Sequence, residues 1–216
     1  MSNSKPRVQG LYVITQTDPA KKRTHIDVAR AALEGGAAII QLRDKEATTR
    51  ELLKTARNIR ELTRQAGALF FVNDRLDVAL AAKAEGVHLG EDDMPVAIAR
   101  GLAGDRLIIG ASVSTPKEAV EAERTGADYL GIGSIFPTPS KKDAGPPRGV
   151  GIIRQVKAVT KLPVIAIGGI NADNAGEVLE AGADGIAVIS AISGAEDMTA
   201  ATANLVRLVG QYRVKS

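Results

Sequence analysis

Charged side chains follow several short apolar runs of this sequence, at positions where chemistry on phosphate groups would require them. Arg43 and Lys45 lie at and just beyond the end of one run, Asp74 follows another, and Asp93 ends an acidic stretch after a third. An arginine inside a buried strand needs an anionic partner. Carboxylate oxygens are suitable ligands for Mg²⁺, above all where the metal also meets phosphate oxygens. The pattern predicts a magnesium site beside a cationic site for a diphosphate.

A second anion site is indicated where glycines and a serine end two later runs. Gly168 and Gly169 follow Val164–Ile167, and Ser190 follows the run 185–189. Paired glycines let backbone N–H groups approach an anion closely, and a short helix beginning near Ser190 would direct its positive end to the same point. An ordinary βαβ unit with tight glycine turns would show the same residues, so this pattern alone leaves both interpretations open.

The longest segment between apolar runs, residues 134–149, carries Thr138, Ser140 and Lys141 among prolines. Such a segment is either a stiffened surface loop or a lid over a site. Hydroxyl groups placed ahead of a lysine favour the lid. Because the sequence has no cysteine and no evident acid–base pair, catalysis would rest on electrostatic stabilisation of a departing anion.

Eight apolar runs, each followed by a helix-like segment, must position these residues. Alternation of β and α predicts an α/β protein, and eight units in 216 residues favour a single (β/α)8 TIM barrel over an open flavodoxin-like sheet. The predicted domain spans residues 1–216, with 1–9 expected to be flexible or peripheral and the active site at the C-terminal mouth of the strands. Four helical segments are predicted to end in glycine directly before the next strand, at Gly35, Gly86, Gly126 and Gly182.

The overall composition excludes several classes of function. A net charge of +3, from 28 basic and 25 acidic residues, is too balanced for a nucleic-acid or membrane surface. The N-terminal residues lack the apolar core of a signal peptide, and no apolar run approaches the ~20 residues of a membrane span. We therefore expect a cytoplasmic protein whose partners are small phosphorylated molecules, with a homo-oligomer left open.

Five motifs, in order along the sequence, resemble those of the thiamine-phosphate synthase family. They are QLRDK at 41–45, NDR at 73–75, HLGEDD at 88–93, GIGSIFPTPSKKD at 131–143, and AIGGIN with ADGIAVISAI at 166–171 and 183–192. The resemblance implies a (β/α)8 barrel and a transferase. Its Mg²⁺-dependent reaction would couple 4-amino-5-hydroxymethyl-2-methylpyrimidine diphosphate with 4-methyl-5-(2-hydroxyethyl)thiazole phosphate, giving thiamine phosphate and pyrophosphate. Pyrophosphate would leave first, and the thiazole nitrogen would capture the pyrimidine cation.

The resemblance also implies a role for each matching residue. Asp74 and Asp93 would bind Mg²⁺, and Arg43, Lys45, Ser112 and Lys141 would be catalytic. Thiazole phosphate would contact Thr138, Pro139, Ser140, Gly169, Ile189 and Ser190. Pyrimidine diphosphate would contact Gln41, Leu42, Arg43, Asp44, Lys45, Asn73, Ser112 and Lys141.

The sequence departs from the family pattern at two places. Glu91 stands where the family usually has glutamine, which adds negative charge beside the metal site and leaves open whether Asp92 also contacts the ion. The family's lid usually reads Thr-x-Thr-Lys, and here it reads Thr138-Pro139-Ser140-Lys141. Ser140 keeps the hydroxyl group, and Pro139 would stiffen the loop.

Other interpretations of these residues remain open. Asp74 would also serve as the N-cap of a helix over residues 75–84. His88 is predicted to pack inside the barrel, and His25 to lie on the surface. The alternative function is a thiazole tautomerase-like or regulatory paralogue that binds thiazole phosphate without coupling. Such a paralogue would be expected to lose the diphosphate and magnesium residues, which this sequence retains.

Overall fold

Eight parallel strands close into a barrel in the computed structural model, which describes residues 5–18, 20–140 and 145–213. Each strand pairs with its sequence neighbours, and the last pairs with the first. The predicted (β/α)8 barrel is therefore confirmed, and the open sheet is excluded. The strands are β1 (Gly10–Thr15), β2 (Ile39–Leu42), β3 (Leu69–Asn73), β4 (Gly86–Leu89), β5 (Ile108–Val113), β6 (Tyr129–Ile132), β7 (Val164–Ile167) and β8 (Gly185–Val188).

Helices between the strands form the outer layer and bury alanine and branched aliphatic side chains against the barrel. None of the described helices is long and apolar enough to cross a membrane. The helices are α1 (His25–Glu34), α2 (Thr49–Ala66), α3 (Leu76–Ala82), α4 (Val96–Ala103), α5 (Pro116–Thr125), α6 (Gly151–Lys157), α7 (Ala175–Glu180), α8 (Ser190–Ser193) and α9 (Met198–Arg213), with a 3₁₀ turn at Gly104–Arg106.

Local sequence chemistry accounts for most helix ends, but one predicted end is wrong. Thr48 and Glu51 form a capping box at the start of α2. At the end of α3, however, the left-handed position belongs to Lys83 (φ 55°) rather than to a glycine. Gly86 is instead the first residue of β4, where a side chain would overlap the ring of Phe71. This glycine serves the packing of the barrel interior.

Acidic residues tie neighbouring strands together at the N-terminal end of the barrel. Glu85, Asp128 and Asp184 precede β4, β6 and β8, and each accepts a hydrogen bond of 2.8–3.0 Å from a backbone N–H near the start of the preceding strand. Each carboxylate also pairs with a cation on a nearby helix, and these cations are Arg60, Arg100 and Lys157. A recurring acid before an even-numbered strand thus joins two strands and a helix.

The described part of the N-terminal segment also packs against this end. Within residues 5–9, Val8 is buried among the side chains of the barrel interior, and Lys5 pairs with Asp128 at 3.1 Å. The expectation that residues 1–9 are flexible or peripheral stays a prediction, although Val8 is buried in this part. Its partners lie far along the chain, so no local pattern indicated the contact.

Large rings fill the barrel interior because neighbouring strands supply glycines. The rings of Tyr12, Phe71 and Tyr129 lie with centroids 5.5–6.2 Å apart. A side chain at Gly110 would overlap the Tyr129 ring, since both residues face the interior. Pairing a ring with a glycine keeps the interior at the close packing that folded proteins require.

This packing predicts that Gly110→Ala destabilises the protein. Overpacking against a ring that is itself enclosed typically costs about 1–3 kcal/mol. The matched control is Gly101→Ala inside α4, where an added Cβ meets nothing within 4 Å. Alanine should be neutral there or stabilise the helix by up to about 1 kcal/mol. Urea unfolding of both variants measures the difference, and equal stabilities would contradict the packing account.

Candidate active site

A cavity of about 360 Å³ opens at the C-terminal ends of the strands. This is the end at which enzymes of this fold have their active sites. Its walls carry cations, carboxylates, hydroxyl groups and glycine backbone from loops after many different strands. Of the predicted site residues, the cavity is lined by Arg43, Lys45, Asn73, Asp74, Asp93, Ser112, Thr138, Ser140, Gly169, Ile189 and Ser190.

Asp74 is held in the cavity by its backbone rather than used as a helix cap. Its φ is 65°, an uncommon conformation for a residue with a side chain, and its N–H donates to the carbonyl of His88 at 2.8 Å. Helix α3 begins later, with Arg75 at the N-cap position and no side-chain cap. The alternative interpretation of Asp74 as an N-cap is therefore wrong. Strained backbone of this kind concentrates at functional sites.

Asp93 approaches Asp74 from the next loop. Its Oδ2 accepts a hydrogen bond from the N–H of Gly90 at 2.7 Å, and its carboxyl group lies within hydrogen-bonding reach of the Asp74 carboxyl group. Burial raises the pKa of Asp74 from 3.8 to about 7, and the hydrogen bond and charge of Asp93 add to the effect. The positive charges of Lys45 and Arg43 oppose it. The two carboxylates therefore hold more negative charge than their surroundings compensate.

This pair of carboxylates fits a magnesium ion. A divalent cation between them would remove the repulsion that raises the pKa of Asp74. Among the described residues, no group of three or more histidine, cysteine or acidic side chains is arranged to hold a metal. Asp74 and Asp93 would supply two oxygen ligands, and water and phosphate would supply the others, as is usual for Mg²⁺.

Ser112 reaches the cavity from β5 and is hydrogen-bonded to His88. The Oγ of Ser112 lies 3.0 Å from Nε2 of His88, whose Nδ1 lies 2.9 Å from the hydroxyl of Tyr129. His88 is packed in the barrel as predicted, yet it also lines the cavity. This position at the cavity was not predicted, because a lone histidine inside a strand carries no signal for it.

The opposite wall of the cavity is formed by glycines and hydroxyl groups. Gly168 and Gly169 adopt φ values of 103° and 64°, and a side chain on Gly169 would meet the carbonyl of Pro137 at 2.5 Å. Ser140 donates to the Oγ of Ser190 at 3.0 Å, which joins the loop after β6 to the start of α8. Only a glycine at position 169 allows the loop after β7 to approach the loop after β6 this closely.

The loop after β6 is anchored at both ends. The N–H of Ile135 donates to Ile167 at 2.9 Å, and the N–H of Arg148 donates to Ser134 at 2.8 Å. Thr138 and Ser140 line the cavity between these anchors, and Pro139 is exposed. Lys141, predicted as the lysine of a lid, lies outside the described residues.

Three predicted residues of the QLRDK motif direct their side chains elsewhere. Gln41 is buried and donates to the hydroxyl of Tyr12 at 2.9 Å, and Leu42 packs in the helix-facing core. The Asp44 carboxylate accepts hydrogen bonds from the N–H groups of Glu46 and Ala47, at 3.0 and 3.1 Å. Asp44 thus fixes the turn that presents the two neighbouring cations to the cavity.

His25 is buried, which corrects the prediction of a surface residue. Its Nδ1 lies 2.8 Å from Oγ1 of Thr15 and its Nε2 lies 3.2 Å from Oδ2 of Asp44. Burial lowers the pKa of His25, and the interaction with Asp44 opposes this. The burial of His25 could not be predicted from its place in the sequence, because its partners Thr15 and Asp44 come from β1 and from the loop after β2.

The cavity also contains residues that were not selected from the sequence. Arg148 adds a cation at the end of the loop after β6, and Ser114 adds a hydroxyl group after β5. Glu91 and Asp92 line the cavity too. Arg148 and Ser114 follow the ends of β6 and β5 in the sequence, and this position is the signal that could have identified them.

The barrel fold and the residues that line the cavity together define a class of protein. It is a (β/α)8-barrel enzyme with a polar cavity at the C-terminal ends of its strands. The family model for thiamine monophosphate synthase matches residues 11–192. Curated thiamine-phosphate synthases from Moorella thermoacetica and Methanospirillum hungatei are 52% and 55% identical, over 95% and 89% of this chain and 98% and 94% of theirs. The solved thiamine phosphate pyrophosphorylase of Pyrococcus furiosus is 51% identical, with a TM-score of 0.87 over 94% of this chain and 96% of that one. The chain belongs to the thiamine-phosphate synthase family, a family of transferases in thiamine biosynthesis.

The raised pKa of Asp74 predicts how stability depends on pH in EDTA. The folded protein holds a proton that an unfolded Asp releases between pH 3.8 and about 7, so stability should rise as pH falls through this window. Asp74→Asn cannot ionise, so it should melt at a higher temperature than the unsubstituted protein above this window. The difference should shrink as pH falls.

Thermal unfolding of both proteins over a pH series measures this effect. Asp92→Asn is the matched control, because it removes an exposed carboxylate that lines the same cavity and leaves Asp74 and Asp93 in place. An Asp74→Asn variant that melts below the unsubstituted protein at every pH would contradict the account of repelling carboxylates.

Proposed function

We propose that this protein is a thiamine-phosphate synthase. It would couple 4-amino-5-hydroxymethyl-2-methylpyrimidine diphosphate with 4-methyl-5-(2-hydroxyethyl)thiazole phosphate to give thiamine phosphate and pyrophosphate. The observation that carries the proposal is a single rim on which Arg43, Lys45 and two carboxylates lie across the cavity from a glycine and hydroxyl wall. That arrangement suits a diphosphate at one end and a monophosphate at the other. Relatives of the same family name share about half of the sequence.

The chemistry would be loss of pyrophosphate followed by capture of the pyrimidine cation. Arg43 and Lys45 would bind the diphosphate and stabilise the negative charge that grows on it as it leaves, with Lys141 assigned the same role by family resemblance. Bound Mg²⁺ would supply further positive charge to the diphosphate oxygens, and Asp74 and Asp93 would be its protein ligands. In many enzymes, preorganised charge of this kind contributes more to the rate enhancement than any other single effect.

The second substrate would bind at the opposite wall. The Ser140 and Ser190 hydroxyl groups and the backbone of Gly169 would hold the thiazole phosphate, and Ile189 would contact its apolar part. Holding both substrates in one cavity places the thiazole nitrogen beside the cation as it forms. The reaction needs no general base on the protein, because the nitrogen attacks as a neutral lone pair.

A tautomerase-like or regulatory paralogue would need only the thiazole end of this cavity. The described residues that would bind the diphosphate and its metal nevertheless all line the cavity. They are Arg43, Lys45, Asn73, Asp74 and Asp93. Retention of that end supports the coupling activity over the alternative.

Release of pyrophosphate is the test of the proposal. It should require both substrates and Mg²⁺ and should stop in EDTA. Asp74→Ala should lower kcat by on the order of a hundredfold or more, because a preorganised charge site is lost. The control is Asp77→Ala, since Asp77 is an exposed carboxylate that pairs with Arg75. Pyrophosphate release at the normal rate in EDTA would contradict the role of the metal. The absence of pyrophosphate release with both substrates and Mg²⁺ present would contradict the proposed activity.

Ser190→Ala tests the thiazole phosphate end separately. A hydrogen bond to a charged group contributes about 1.5–3 kcal/mol, so the KM for thiazole phosphate should rise about tenfold or more. The KM for pyrimidine diphosphate should stay the same. Ser193→Ala is the control in the same short helix, because the Ser193 hydroxyl donates to the carbonyl of Ile189 at 3.2 Å. An equal rise in both KM values would place Ser190 outside this end of the cavity.

A further inference from the structure

A relay of hydrogen bonds crosses the barrel interior and ends at the cavity. Gln41 Nε2 lies 2.9 Å from the Tyr12 hydroxyl, which lies 3.0 Å from the Tyr129 hydroxyl. Tyr129 lies 2.9 Å from Nδ1 of His88, and Nε2 of His88 lies 3.0 Å from Oγ of Ser112. This relay links side chains of five different strands, β2, β1, β6, β4 and β5. Its inner members are almost fully buried.

The relay has a direction, because one of its ends can only donate. The side-chain nitrogen of Gln41 carries protons and no lone pair for hydrogen bonding. The Tyr12 oxygen therefore accepts from Gln41 and has one proton left for Tyr129. Burial raises the pKa of both tyrosines, so each hydroxyl group keeps its proton. Tyr129 accepts from Tyr12 and in turn donates to Nδ1 of His88.

The same direction continues through the histidine. A neutral imidazole that accepts at Nδ1 carries its proton at Nε2. In a neutral His88 with its proton at Nε2, the Nε2–H group would donate to the Oγ of Ser112, and the Ser112 proton would be directed away from His88. Ser112 is exposed in the cavity, so that proton is available to a ligand.

We propose that His88, Tyr129 and Tyr12 are positioning residues that hold Ser112 as a hydrogen-bond donor toward the departing diphosphate. The proposal rests on the proposed coupling reaction, in which negative charge grows on that leaving group. In the opposite direction Ser112 would donate to His88 and present a lone pair to an anion. The direction of the relay therefore decides whether Ser112 stabilises or opposes the leaving group.

The tautomer of His88 is the first measurement. The sequence has 2 histidines, so ¹⁵N-histidine labelling gives two imidazole spectra, and a His25→Asn variant assigns them. Two-dimensional ¹H–¹⁵N spectra in mildly alkaline buffer should show His88 with its proton on Nε2. Tyr129→Phe should weaken that preference, and Tyr212→Phe, which removes a hydroxyl group outside the barrel, should leave it unchanged. A proton on Nδ1, or on both nitrogens, in the unsubstituted protein would overturn the proposal.

The second measurement asks whether Tyr129 acts through Ser112. Tyr129→Phe should lower kcat about tenfold, less than the roughly hundredfold loss for removing a donor outright, and should change the KM for the diphosphate little. In a Ser112→Ala background the same substitution should have almost no further effect, because the group that it positions is absent. A purely structural role would instead give losses that multiply, which would overturn the proposal.

The two measurements separate this proposal from the proposed function. If the unsubstituted protein releases no pyrophosphate, the coupling activity fails whatever the tautomer of His88. If it is active but His88 carries its proton on Nδ1, or Tyr129→Phe has normal kcat, the positioning role fails and the activity stands. Because the tautomer is measured on the unsubstituted protein, poor folding of Tyr129→Phe leaves the first test decisive.

Discussion

Gly10 and Gly185 are partners where β1 pairs with β8, and the barrel closes there because Gly185 has no side chain. A Cβ on Gly185 would overlap the Gly10 backbone. Every other feature depends on this closure, since it brings the ends of all the strands to one rim. Arg43 after β2, Asp74 after β3 and Gly169 after β7 are distant in sequence and share one cavity for this reason.

The two ends of the barrel show opposite uses of charge. At the N-terminal end, carboxylates such as Asp184 are paired with cations and accept backbone hydrogen bonds, so they tie strands and helices together. At the C-terminal end, Asp74 and Asp93 are held against each other without full compensation, and Asp74 has positive φ. The protein thus concentrates strain and repulsion where ligands can relieve them. Stability comes from the interior and from the opposite end.

Much of the fold and part of the site followed from sequence alone. The eight strands, the capping box of α2 and the short helix at Ser190 rest on local patterns that operate within a few residues. Arg43, Asp74 and Asp93 could be selected because each follows an apolar strand, and in a barrel the ends of strands meet. The glycine at position 86 was misread, because helix-end and packing glycines look alike in sequence.

The sequence itself determined the alternation of strands and helices and the residue types after each strand, since side-chain periodicity and turn chemistry are local. Only the tertiary structure decided which of those residues share a cavity. Gln41 is hydrogen-bonded to Tyr12, and Asp44 is hydrogen-bonded to His25. His88 is hydrogen-bonded to both Tyr129 and Ser112. These choices depend on hydrogen-bond partners from other strands, and such partners exist only once the barrel has closed.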